Sequence, residues 1–119
     1  MSVELTAEDE RRLFERFSAR FPARFRDTRD DFGLNIQLND ASALGIRITT
    51  RDRLFVNDSV SIEVELPGSS SPMVMNGEVK WVKNRPDNTW DVGIKFFKVD
   101  LVYISRLYKF VEENTPPSH

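Results

Sequence analysis

The stretch Phe17-Ser18-Ala19-Arg20-Phe21-Pro22-Ala23-Arg24-Phe25-Arg26 places an apolar residue at every second position. Period two is the repeat of a β-strand with one buried face, because successive side chains leave the backbone on opposite sides. The arginines and Pro22 fall on the outward phase. Pro22 has no amide hydrogen to give to a ladder, so it belongs near an edge. The same rhythm recurs downstream. Leu34, Ile36 and Leu38 alternate with polar residues, as do Ile46 and Ile48, and then Val60, Ile62, Val64 and Leu66, which end at Pro67-Gly68. Ser69-Ser70-Ser71-Pro72 reads as a flexible hairpin loop. Met73 to Val82 reads as a strand with Val79 and Trp81 on one side, and Asn84-Arg85-Pro86-Asp87-Asn88 as a turn. Trp90, Val92, Ile94 and Phe96 then alternate once more. Short strands at this spacing indicate an antiparallel barrel or sandwich.

The two ends have a different period. Thr6-Ala7-Glu8-Asp9 resembles a helix start, with a hydroxyl cap and early acids at the positive end. Leu13, Phe14 and Phe17 follow at helical spacing, and Glu8 and Arg12 are four apart, as are Arg11 and Glu15. After Asp100, which suits an N-cap, Leu101, Ile104, Leu107, Tyr108 and Val111 form the apolar stripe of an amphipathic helix able to close one mouth of a barrel. The expected organisation is an N-terminal extension over residues 1–9, one domain over residues 10–113, and a disordered tail over residues 114–119.

Composition narrows the function classes. The chain has 119 residues, the size of one domain with its own core. It has no cysteine, which excludes disulfides, thiolate metal sites and thiol nucleophiles, and its single histidine is the last residue, His119. No His-based catalytic pair, metal cluster or P-loop is present, so an enzyme is not expected. No apolar run approaches the roughly 20 residues that span a bilayer. The acidic N-terminus lacks a signal-peptide pattern, so a cytoplasmic location without membrane insertion is expected. A net charge of -2 argues against DNA or RNA as the partner. The charge is uneven, however: Arg11, Arg12, Arg16, Arg20, Arg24, Arg26 and Arg29 all lie in the first quarter of the chain.

Two short motifs give that cluster a meaning. Arg12 to Arg16 forms an RxxxR just ahead of the first strand, and Asp40-Ala41-Ser42-Ala43-Leu44-Gly45 forms a DxSxxG. Each is weak alone, since charged residues usually face solvent and Asp, Ser and Gly favour ordinary turns. Their order and separation resemble the PilZ domain family, as do Gly77-Glu78-Val79-Lys80-Trp81 and Val92-Gly93-Ile94-Lys95-Phe96. The resemblance runs from about Glu10 to about Val111. It implies a mainly β fold: a six-stranded antiparallel barrel with a short N-terminal helix or flexible segment and a C-terminal helix. It also implies a stand-alone receptor for cyclic di-GMP that signals through an unidentified protein partner, in motility, pilus or biofilm control. No cofactor is implied.

The residues that the resemblance assigns to cyclic di-GMP are Arg11, Arg12, Arg16, Asp40, Ser42 and Gly45. The chemistry is consistent. Guanidinium forks pair with phosphate oxygens or with guanine O6 and N7. A carboxylate accepts from guanine N1 and N2 hydrogens, a serine hydroxyl adds a short contact, and glycine permits close approach. Trp81 reads first as core and second as a surface on which a guanine stacks. Arg20, on the outward face of the first strand, is a secondary candidate for extending the anion site. Glu15 places a negative charge inside the arginine motif. The competing expectation is a PilZ-like adaptor that works by protein–protein contact without the nucleotide.

Overall fold

The computed structural model describes residues 6–27, 34–68 and 71–114. The alternating stretches become six strands, β1 (Phe17–Asp27), β2 (Leu34–Ser42), β3 (Gly45–Thr50), β4 (Ser59–Val64), β5 (Met73–Asn84) and β6 (Trp90–Phe96). They are flanked by helices α1 (Ala7–Phe14) and α2 (Leu101–Asn114). Every pairing is antiparallel, and the strands close into a barrel in the order β1-β2-β3-β6-β5-β4. The mainly β barrel with two terminal helices is therefore the fold that the period-two pattern and the PilZ resemblance together imply.

The inward phase forms one core. Leu38, Ile46, Ile48, Ile62, Val64, Val79 and Val92 are fully buried, and Met73 and Met75 nearly so. Burying each such side chain contributes about 1.5–3 kcal/mol. The side chains of residues 21–27 lie outside the described set, so the expected inward phase of Phe21 and Ala23 is expressed only by register, with Leu38 and Ile36 as partners. Pro22 pairs with Gln37 of β2, and the ladder to β4 begins only at Arg24. The proline therefore sits where no amide hydrogen is required on the β4 side. The hairpin-loop reading for Ser69 and Ser70, and the tail reading for residues 115–119, fall outside the described residues.

Both helices are tied to the turn between β2 and β3. Asp100 caps α2, its Oδ1 accepting from the Tyr103 amide at 2.9 Å. The Asp100 amide in turn donates to the Ala43 carbonyl at 3.0 Å, and the Ala43 amide donates to the Leu13 carbonyl at 2.6 Å. Ile104 and Leu107 of α2 and Leu13 of α1 join the core. Phe17 meets Tyr108 edge to face, with ring centroids 5.1 Å apart. No helix of the described residues is long and apolar enough to cross a membrane.

Three irregularities break the simple alternation. The register shifts between Ser18 and Phe21 in β1, between Leu38 and Asp40 in β2, and between Val79 and Trp81 in β5. An extra residue in a strand reverses the phase of everything beyond it. In β5 the extra residue is Lys80. It corrects the expectation that Val79 and Trp81 share a side: Val79 is buried, whereas Trp81 is 41% exposed. Trp81 is not core.

Candidate functional site

The β2 shift places Asp40 on the outer face of the barrel, and a row of residues then follows by register. Asp40 pairs with Arg47 of β3, Arg47 with Gly93 of β6, and Gly93 with Trp81 of β5. Four adjacent strands at about 4.8 Å spacing put the Cα atoms of Asp40 and Trp81 about 14 Å apart. The indole shortens that gap. A Cβ built on Gly93 would lie 2.0 Å from Trp81 Nε1 and 2.3 Å from Cε2, so the ring lies directly over the glycine. Only hydrogen at residue 93 leaves room for it.

Arg16 reaches this row from the other side. Helix α1 ends at Phe14, where the Glu15 amide donates back to the Arg12 carbonyl at 3.1 Å in a tightened last turn. Arg16 is thereby off the helix and ahead of β1. Its Nη1 donates to Asp40 Oδ1 at 2.7 Å, while Arg47 Nε donates to Asp40 Oδ2 at 2.6 Å. The carboxylate is thus clamped by two guanidiniums. Each oxygen has a second lone pair for another donor. Arg16 is half exposed, so its pair with Asp40 fixes geometry more than it stabilises the fold. The charges continue along the same face: Arg47 Nη1 is 3.6 Å from Asp91, which Arg85 approaches to 3.3 Å.

Beside the row lies a recess of about 230 Å3 lined by Arg16, Leu44, Gly45, Lys80, Trp81, Gly93, Ile94 and Lys95. Among the described residues its lining holds three cations, no carboxylate and an exposed indole. That combination suits a ligand with both negative charge and an aromatic ring, held by charge-assisted hydrogen bonds and stacking. Lys80 is shared with Glu78 at 3.3 Å.

The residues expected from sequence separate into three groups. Arg16, Asp40, Gly45 and Trp81 come together at or beside the recess. Ser42 is buried, and its Oγ accepts from the Leu44 amide at 3.2 Å. It shapes the turn between β2 and β3. Gly45 has a packing role too, because a Cβ there would fall 2.1 Å from the Ile94 carbonyl oxygen. Arg12 is held elsewhere. It pairs with Glu8 at 3.2 Å, and its guanidinium is made more basic by a hydrogen bond with Tyr108 and then by the charge of Glu8. The Tyr108 hydroxyl donates to Glu112 at 2.9 Å. Arg11 is exposed on α1. Arg20 lines a different and larger groove.

Sequence reading missed Arg47, Gly93 and Lys95. Arg47 had a legible signal, being the outward residue between Ile46 and Ile48. Gly93 and Lys95 are the outward residues of β6, and their relevance depends on the phase reversal at Lys80.

A family model described as the PilZ domain matches residues 10–113. Among solved structures, the chain is similar to the Bacillus subtilis inhibitor of motility MotI/DgrA, with a TM-score of 0.58 and 14% sequence identity. The match covers 82% of this chain and 48% of that one, so the chain spans about half the length of that protein. At this identity the likeness concerns the fold. No curated protein matches the chain.

Proposed function

We propose that this chain, which belongs to the PilZ domain family, is a receptor that binds cyclic di-GMP and passes the signal on by altered protein–protein contacts. One observation carries the reading: Arg16, Lys80 and Lys95 surround the exposed Trp81 in one recess, with the Arg16–Asp40 pair at its rim. The indole offers a stacking face to one guanine. Asp40 accepts from a guanine N1 and N2 edge, and Arg16 turns from Asp40 to phosphate or to guanine O6 and N7. Arg12 completes the site by leaving Glu8 and Tyr108. The Arg12 shift frees α1 from α2 and changes the surface offered to a partner, a population shift driven by the ligand's preference for the rearranged state. A cytoplasmic, non-catalytic role in motility, pilus or biofilm control accords with this reading, and the similar fold of an inhibitor of motility supports it.

Isothermal titration with cyclic di-GMP tests it. Binding in the micromolar range, about 8 kcal/mol, is expected. Arg16→Ala should weaken it strongly and Arg106→Ala should not. Absence of heat at protein concentrations well above micromolar defeats the proposal.

One observation favours a second reading, an adaptor that works without the nucleotide. In the free chain Arg12 and Asp40 both already have partners within the protein. Under that reading, pull-downs recover the same proteins with and without cyclic di-GMP and from Arg16→Ala.

A further inference from the structure

A groove of about 700 Å3 lies beside β2, β3 and the turn between β5 and β6. It shares no lining residue with the Trp81 recess. Three guanidiniums reach it from three separate elements: Arg20 from β1, Arg51 from the end of β3, and Arg85 from the β5–β6 turn. Neither Arg20 nor Arg51 forms an ion pair with another described residue. One carboxylate, Asp87, also lines the groove, and it is already engaged. It accepts from the Thr89 hydroxyl at 2.5 Å and the Thr89 amide at 3.1 Å, which hold its carboxyl below the usual carboxylate range. Arg85 is paired with Asp91 at 3.3 Å and lies 3.9 Å from Asp87, so on a chain of net charge -2 the groove holds two guanidiniums, Arg20 and Arg51, with no ion-pair partner among the described residues.

The floor is polar and fixed. Asn39 is buried, and its Nδ2 donates to Thr49 Oγ1 at 2.7 Å; Thr49 Oγ1 donates to Asp91 Oδ1 at 3.1 Å. Asp91 also orients Arg85, at 3.3 Å. Side-chain amides and hydroxyls between spaced guanidiniums match the peptide groups and carboxylates of an extended acidic chain. No aromatic side chain lines the groove among the described residues, so it lacks the stacking surface that single-stranded nucleic acid uses.

We propose that this groove binds an extended, glutamate- or aspartate-rich segment of a partner protein. Charge complementarity steers the segment in, and the arginine forks fix its register. Among the described residues none lines both cavities, and the proposal does not require nucleotide binding, although the ion pairs Arg47–Asp91 and Arg85–Asp91 connect the two faces.

The test is fluorescence anisotropy with fluorescein-labelled hexaglutamate at low ionic strength, with hexaglutamine and oligothymidylate as comparisons. Saturable binding of hexaglutamate alone is expected. The double substitution Arg20→Glu with Arg51→Glu should weaken it about tenfold or more. Arg106→Glu with Lys109→Glu, the same charge change on exposed positions of α2, should leave it nearly unchanged. In the unmodified chain, amide NMR shifts should move at Gln37, Asn39 and Thr49, a readout that does not depend on variant folding. No saturable binding, an equal loss in the α2 variant, tighter binding of oligothymidylate, or unmoved amides at those three positions would each overturn the proposal.

Discussion

On the barrel wall, Asp40, Arg47, Gly93 and Trp81 follow one another by strand register. On α1, Arg11 and Arg12 ride a two-turn helix whose buried anchor is Leu13. The wall residues are positioned by a closed hydrogen-bonded sheet, and ligand binding there costs little ordering. Arg12 is positioned by Glu8 and Tyr108, partners that it would have to leave under the proposed function. A helix of eight residues is too short to be stable in isolation, so its place depends on tertiary contacts. The lesson is a division of labour within one motif pair. Under the proposed function, the wall is preorganised for a guanine base and α1 is the part that would move when phosphate arrives.

Substitutions can break this contrast. The largest effect is expected at Gly45, where a Cβ would meet backbone that cannot yield. Gly45→Ala should lower stability by about 3 kcal/mol, read as a lower urea midpoint. A near-unchanged midpoint would mean that β3 and β6 are not rigidly apposed. Next comes Asp40→Asn, which removes the carboxylate facing Arg16 and Arg47. It should weaken cyclic di-GMP by about 2 kcal/mol in titration calorimetry, with little change of fold. Gly93→Ala should lift the indole off its strand, costing about 1 kcal/mol of affinity and shifting the Trp81 emission. If emission and affinity both stay put, the ring does not depend on the glycine. The smallest effect belongs to α1. Glu8→Gln releases Arg12 from its exposed partner and should tighten nucleotide binding about twofold. Weaker binding would show that Glu8 holds Arg12 ready instead of holding it away.

The strands were legible because their inward residues alternate, and the two helix starts because Thr6 precedes α1 and Asp100 caps α2. The barrel order was not readable from local pattern, since β3 pairs with β6 across 40 to 50 residues. The face of Trp81 was misread for a definite reason. One extra residue, Lys80, reverses the phase, and a lysine in a strand carries no mark that it is a bulge. Arg47 lies just beyond the DxSxxG motif, and the alternation of Ile46 and Ile48 on either side of it is the signal that turns it outward. The separation of Arg12 from Asp40 depends on tertiary contacts with Tyr108 that no spacing in the sequence encodes.

The chain has two tryptophans, so Trp90→Phe leaves Trp81 as the sole indole. Titrating that variant with cyclic di-GMP while following tryptophan emission tests most directly whether the outer row is the base platform. The account predicts a saturable quench whose midpoint agrees with calorimetry. Calorimetric binding with no change in Trp81 emission, or no binding at all, would contradict it.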